Sequence, residues 1–218
     1  KEQSAPKLYD LTTLQREANR YYGFTASQTL KIVQELYEEK LVTYPRTDSQ
    51  YITEDMQQTM TDLLNHYSGE VGKVEQVVNN KKVTDHHAIL PTLESCKREL
   101  NNLSGDKEKI FALIVWKMQQ AVQPPYIYED VLVTVCCQDR KFTAKYKNIL
   151  QAGHTAMPVP FAEQEKSKDV AFPKKLEQGA VIPVVSAEKK HGFTSPPKAF
   201  TEETLLSAME TACNKEIE

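Results

Sequence analysis

In the first half of the chain, apolar residues recur at helical spacing. Leu14, Ala18 and Tyr21 stand at i, i+4 and i+7, the stripe of an amphipathic helix. Thr12 and Gln15 precede that stripe at the spacing of a capping box, and Gly23 closes it. Thr25 and Gln28 make a second capping box. The helix it opens carries Leu30, Val33 and Tyr37 and runs to about Lys40. Two helices joined by a short glycine-containing turn form the helix-turn-helix pattern. A short β-prone run, Leu41-Val42-Thr43-Tyr44, follows and is stopped by Pro45. A third helix is predicted from Thr53, where Glu54 and Asp55 suit the positive end of its dipole. Its stripe is Met56, Met60, Leu63 and Tyr67, and Ser68-Gly69 ends it. A fourth helix, about 107–122, carries Ile110, Ile114, Met118 and Ala121 before Pro124-Pro125.

The period then changes. Residues 127–136 are rich in Val, Ile and Tyr, and 140–147 alternate Phe142, Ala144 and Tyr146 with polar residues, so the two runs predict a β-hairpin. Residues 181–185 read as a later strand, with Pro183 pointing to a sheet edge. A helix resumes at Thr201 through Leu205, Leu206 and Met209. The predicted class is α+β: a helical block to about residue 123, then a β block to about 190, then the opening of a further unit.

Composition narrows the function classes. The chain has 218 residues, 40% of them hydrophobic and 26% charged, enough for a real core in one large domain or two small ones. That excludes a disordered tail, a coiled coil and a collagen-like fibre. No run approaches the ~18 apolar residues of a membrane span. The chain begins Lys1-Glu2-Gln3 with no Met, which suggests a piece of a longer protein. The four cysteines, Cys96, Cys136, Cys137 and Cys213, form no Cys-x-x-Cys pair, which argues against zinc and for reduced thiols in a cytosolic protein. The net charge is −3, so any case for nucleic acid has to rest on local chemistry.

Two stretches supply that chemistry. Thr43-Tyr44-Pro45-Arg46-Thr47-Asp48-Ser49 packs a potential nucleophile, a cation, a carboxylate and hydroxyls directly after the helix-turn-helix. In an extended segment Tyr44 and Arg46 would project to one side. A phenol is a weak nucleophile, with an unperturbed pKa of about 10. A neighbouring guanidinium favours the phenolate and can clamp a phosphate bidentately. The plainer alternative is a packing tyrosine beside a surface Arg–Asp pair. Thr84-Asp85-His86-His87-Ala88-Ile89-Leu90-Pro91-Thr92 sets two histidines beside a carboxylate, and near neutral pH a histidine can carry a proton or donate to a phosphate. Its plainer reading is a solvated pair at the entrance of a strand.

On these two motifs the chain resembles the type IA DNA topoisomerases, most closely their topoisomerase III branch. Thr43 to Ser49 is similar to the family's active-site motif, with Tyr44 at the nucleophile position, and His86 to Thr92 is similar to a second family motif. Thr12-Leu14-Gln15 and Pro196-Pro197-Lys198-Ala199-Phe200-Thr201-Glu202 match further landmarks in the same order. The resemblance implies a winged-helix-like domain bearing the tyrosine at 8–123, a β-rich arch domain at 124–193, and the start of a following DNA-binding helical domain at 194–218. It implies ATP-independent strand passage through a transient 5′-phosphotyrosine bond in single-stranded DNA. Tyr44, Arg46 and His86 would be catalytic, with Thr47, Asp48, Ser49 and His87 in support.

Family members also carry a Toprim domain that holds Mg2+ through an Asp-x-Asp site. This sequence has no Asp-x-Asp, so the resemblance implies half of an active site, inactive alone and holding no metal itself. The implied partners are single-stranded DNA and the Toprim and DNA-binding domains of the same longer chain, in a cytoplasmic, nucleoid-associated setting without membrane contact. The rival class is a non-enzymatic winged-helix DNA-binding module. Its recognition helix would be expected to be basic, but the second helix sets Lys31 and Lys40 against Glu35, Glu38 and Glu39.

Overall fold

The computed structural model describes residues 1–69, 72–98, 103, 105–162, 177–189 and 191–212. Helix α1 spans Leu11–Tyr22. Its N-cap is Asp10, whose carboxylate accepts from the Thr13 amide at 2.6 Å, so Thr12 is not the cap. The reason is tertiary: the Leu11 amide is already bonded to the Thr47 carbonyl at 3.1 Å, and the chain turns into the helix at that anchor. Gly23 ends α1 at φ +73°, a left-handed position that costs glycine no Cβ clash. Helix α2, Ala26–Glu38, is capped as predicted by Thr25, whose hydroxyl accepts from the Gln28 amide at 3.1 Å. It stops short of Lys40, which takes φ +62° while the Leu41 amide bonds back to the Leu36 carbonyl. A 3-10 turn at Glu54–Met56 leads into α3, Gln57–Tyr67, and α4 spans Asp106–Ala121.

These helices enclose two adjoining cores. The first gathers Tyr9, Leu14, Ala18, Val33, Leu36, Ile89 and Ile114. The second gathers Leu8, Ile52, Met60, Leu63, Leu90 and Met118. Successive residues of an extended chain point to opposite sides. Leu8 and Tyr9 therefore enter different cores, as do Ile89 and Leu90. Helix α4 contributes to both, which explains why it is apolar on most of its circumference.

The sheet is separate and small. Strand β1 (Glu2–Gln3), β2 (Tyr126–Cys137) and β3 (Arg140–Gln151) form an antiparallel sheet in the order β1-β2-β3. The predicted hairpin is present and longer than its pattern suggested, in a register that pairs Cys137 with Arg140 and Thr134 with Thr143. Residues 181–185 are not a strand. Val181 and Val185 are almost fully exposed, in irregular chain that lines a cleft with Leu132–Cys136. Pro183 has no amide to donate there, and no ladder forms. Helix α5, Glu202–Ala212, packs on α1: Arg16 pairs with Glu210 at 2.8 Å, and the Glu202 carboxylate accepts from the Ala26 amide at 2.6 Å. The architecture is thus α+β, helices with one small antiparallel sheet. Among the described residues no helix is long and apolar enough to cross a membrane.

The junction between helices and sheet is tightly seated. The Pro124 carbonyl accepts from the His154 amide at 3.0 Å, and the Pro125 carbonyl accepts from Gln151 Nε2 at 3.1 Å. Gly153 lies against it at φ +48°, and a Cβ at that position would stand 2.2 Å from the Pro125 oxygen. Gly153→Ala is therefore expected to destabilise the chain by ~2 kcal/mol or more, through forced overpacking and left-handed strain. A thermal melt followed by circular dichroism checks this; an unchanged midpoint would show that the junction yields.

Candidate active site

Three extended segments, each a poor candidate for a sheet on its own, meet where the helices converge. Tyr9 bridges Ile89 and Val42 bridges Pro91, both antiparallel. The Ile89 amide donates to the Tyr9 carbonyl at 2.8 Å, and the Thr43 amide to the Leu90 carbonyl at 2.9 Å. Thr43 adds side-chain bonds: its hydroxyl donates to the Ala88 carbonyl at 3.2 Å and accepts from the Leu90 amide at 3.0 Å. Asp10, besides capping α1, accepts from Gln50 Nε2 at 2.8 Å. The β-prone run at 41–44 is thus satisfied by single bridges and by hydroxyls.

This frame carries the residues the sequence singled out. The Tyr44 ring lies on the His86 ring, with centroids 4.4 Å apart and planes at 44°, and meets Tyr37 edge-on at 5.5 Å. Tyr44 is half-buried while His86 is exposed, so the pair faces solvent from the His86 side. Thr47 and Ser49 are buried, and their hydroxyls hold the frame. Thr47 Oγ1 donates to the His86 carbonyl at 2.9 Å and accepts from the Ser49 amide at 3.1 Å, while Ser49 Oγ donates to the Lys82 carbonyl at 2.8 Å. His87 is half-buried and directs Nδ1 to the Ala88 carbonyl at 2.8 Å, so that nitrogen carries the proton.

Arg46 and Asp48 flank the buried Thr47 on the same segment. The chain bends at Pro45, between Tyr44 and Arg46. Arg46 and Asp48 are exposed, and they line an open cleft of about 670 Å³ with Asp10, Leu30, Thr47 and Glu210. Among the described residues neither makes an ion pair, so the guanidinium of Arg46 is available to an anion.

Thr47→Val tests the frame. It removes the tie to His86 and leaves the buried Ser49 amide without its acceptor, at a cost of ~1–3 kcal/mol. Urea denaturation should show a lower midpoint with an unchanged slope; an unshifted midpoint would mean that another group holds His86.

Residues 1–214 match the family model described as DNA topoisomerase. The chain belongs to the DNA topoisomerase family. It is 40% identical to the DNA topoisomerase 3 of Bacillus licheniformis and 39% identical to that of Bacillus subtilis, in each case over 96% of this chain and 31% of the relative. The topoisomerase chain thus spans about a third of the length of the curated relatives it matches. Its fold is similar to that of full-length topoisomerase I from Thermotoga maritima. The TM-score is 0.62 and the identity 24%, over 96% of this chain and 35% of that one.

Sequence reasoning missed several residues of this candidate site. Tyr37 reads as one apolar position on α2, yet it is the second aromatic wall of Tyr44. A buried polar triad also lies behind the frame. Lys117 is only 3% exposed and donates to Glu17 at 2.7 Å, and the Tyr9 hydroxyl donates to the other Glu17 oxygen at 2.5 Å. The Lys117 ammonium also stands 4.8 Å from the Tyr9 ring centre. Burial pushes the Tyr9 hydroxyl well above the usual phenol range, and the Glu17 charge beside it adds to the effect. Burial likewise lowers Lys117, with Glu17 opposing. The triad locks residues 8–11 between α1 and α4, which holds Tyr9 where it receives Ile89. Among the described residues no cluster of three or more His, Cys, Asp and Glu side chains is placed to hold a metal ion.

Proposed function

We propose that this chain supplies the tyrosine half of a type IA topoisomerase active site and cleaves one DNA strand by transesterification. The Tyr44 oxygen attacks a backbone phosphorus, forming a bond to the 5′ phosphate and displacing the 3′ oxygen. The phenolic proton leaves Tyr44, and the departing 3′ oxygen takes up a proton. The phosphotyrosine bond conserves the energy of the broken ester, so religation needs no ATP. The observation that carries this reading is the Tyr44–His86 ring contact, held at both ends by the same hydrogen-bonded frame. His86 would hold the phosphate or move the proton, and Arg46 would swing to the phosphate and offset its developing charge. Thr47 and Ser49 act as positioning residues through the backbone bonds they make. Asp48 and His87 would support the network from its edge.

The arrangement also suits a gate. In this reading 8–123 is the winged-helix-like domain that moves, 124–193 is the arch it hangs from, and 194–218 opens the next DNA-binding domain. Two strands cross the boundary side by side: β1 pairs with β2 just before and just after the helical unit. Bending there, at Ala5–Lys7 and at Pro124-Pro125, would carry Tyr44 and the attached DNA end away and let a second strand pass. The Toprim domain and its magnesium would come from parts of the enzyme beyond these residues. The test is to supply those parts with magnesium and end-labelled single-stranded DNA, denature, and map the adduct. A phosphopeptide containing Tyr44 is expected, and an adduct mapped to any other side chain would sink the assignment.

A further inference from the structure

Beyond the ring pair, the frame presents a second cluster that the cleavage chemistry does not use. The Tyr51 ring has two ammonium groups against it: Lys7 Nζ and Lys82 Nζ each lie 5.0 Å from its centre. Lys82 Nζ also donates to the Tyr51 hydroxyl at 3.4 Å, and Lys7 Nζ to the Gln76 carbonyl at 3.4 Å. Among the described residues neither lysine pairs with a carboxylate, and the exposed Asp85 nearby in the chain pairs with neither. Lys81, also exposed, adjoins them. Two like charges are thus gathered on one half-buried aromatic ring with no counter-anion, in a chain whose net charge is −3.

The cluster is fixed to the catalytic frame by backbone. The Tyr51 carbonyl accepts from the Ala88 amide at 2.9 Å, and the Lys82 carbonyl accepts from Ser49 Oγ at 2.8 Å. The same loop runs from Lys82 to His86, whose ring lies on Tyr44. An anion that is long, flexible and repetitively charged would satisfy the lysines and His86 together. We propose that Lys7, Tyr51 and Lys82 form a phosphate-binding clip that leads one nucleic-acid strand past His86 to Tyr44. The Tyr51 ring sets the spacing of the two ammoniums by cation–π attraction and keeps them from pairing elsewhere. This clip rests on the strand-cleavage reading for the identity of its ligand, and it can be measured without any cleavage.

The experiment uses the whole 218-residue chain carrying Tyr44→Phe and a fluorescein-labelled oligothymidylate, with anisotropy read across a salt series. Each phosphate contact to a single strand contributes about 0.7 to the slope of log affinity against log salt. Lys7→Gln with Lys82→Gln should weaken binding and flatten the slope by about 1.4. Lys7→Arg with Lys82→Arg, which keeps both charges, should restore it, and melting midpoints confirm that each variant is folded. An unchanged slope in the Gln variant overturns the clip. So does an absence of oligothymidylate binding by the parent chain, or a loss that Arg does not rescue. A Gln variant that loses only a polyglutamate probe would overturn it in favour of an acidic protein partner. Because Tyr44 is absent throughout, a failure of the covalent chemistry leaves this readout intact, and the two ideas fail separately.

Discussion

On the proposed strand-cleavage reading, Tyr44→Phe, tested together with the further domains that reading calls for, is expected to abolish the covalent DNA adduct. The change removes one oxygen from a half-buried ring and leaves the faces against Tyr37 and His86 in place. Among the described residues the Tyr44 hydroxyl makes no hydrogen bond, so its loss leaves no partner stranded and little stability should be lost. The loss should be complete because the hydroxyls that flank Tyr44 within its own motif are already committed. Thr47 and Ser49 are buried and occupied as donors, and Thr43 is bonded to Ala88 and Leu90. Adducts would be counted on a denaturing gel with end-labelled single-stranded DNA, beside a melting curve of each protein. Adduct persisting in the Phe variant would remove Tyr44 from its role. Loss of adduct together with a collapsed melt would attribute the effect to folding instead.

Glu17→Ala is expected to give the largest loss of stability, ~3–5 kcal/mol, because it strands a buried charge. Lys117 is almost wholly enclosed between the two cores and has Glu17 as its only carboxylate among the described residues, while the Tyr9 hydroxyl would lose its acceptor as well. The reverse deletion is milder. In Lys117→Met the charge that needed compensation is gone, the thioether fills much of the space, and Glu17 is 22% exposed and can reach water. The double variant Glu17→Ala with Lys117→Met should therefore recover most of the loss, the coupling expected of contacting residues. Urea denaturation of the four proteins of this cycle measures it. A Glu17→Ala midpoint close to that of the parent would show that Lys117 has another route to solvent. Since the triad locks the segment whose Tyr9 carbonyl receives Ile89, the same cycle also probes how firmly the site frame is held.

Legibility in the sequence followed the range of the interaction responsible. The Thr25 cap and the presence of a hairpin between the runs at 127–136 and 140–147 were readable because each depends on residues a few positions apart. The Asp10 cap was not, because it is chosen by a bond from Leu11 to distant Thr47. Lys117 reads as a polar position on an amphipathic helix, yet α4 passes between two cores and turns Lys117 inward, while Val115 and Gln119 take its open side. Residues 181–185 have the composition of a strand, but a strand exists only where a partner offers its edge. Asp48 and Arg46 read as a surface pair or a catalytic one; both line the same open cleft, and among the described residues they form no ion pair.

By itself the sequence determined where the helices run, where the chain changes from period 3.6 to period 2, and which short motifs carry chemistry. Those depend on steric and hydrogen-bonding preferences that act within a turn or two. Only the tertiary structure decided that Tyr44 rests on His86, that Thr47 reaches a carbonyl 39 residues away, and that Glu17 meets Lys117 across 100 residues. Such contacts form when the burial of two apolar cores outweighs the entropy of closing long loops, and local pattern carries no record of which loops close.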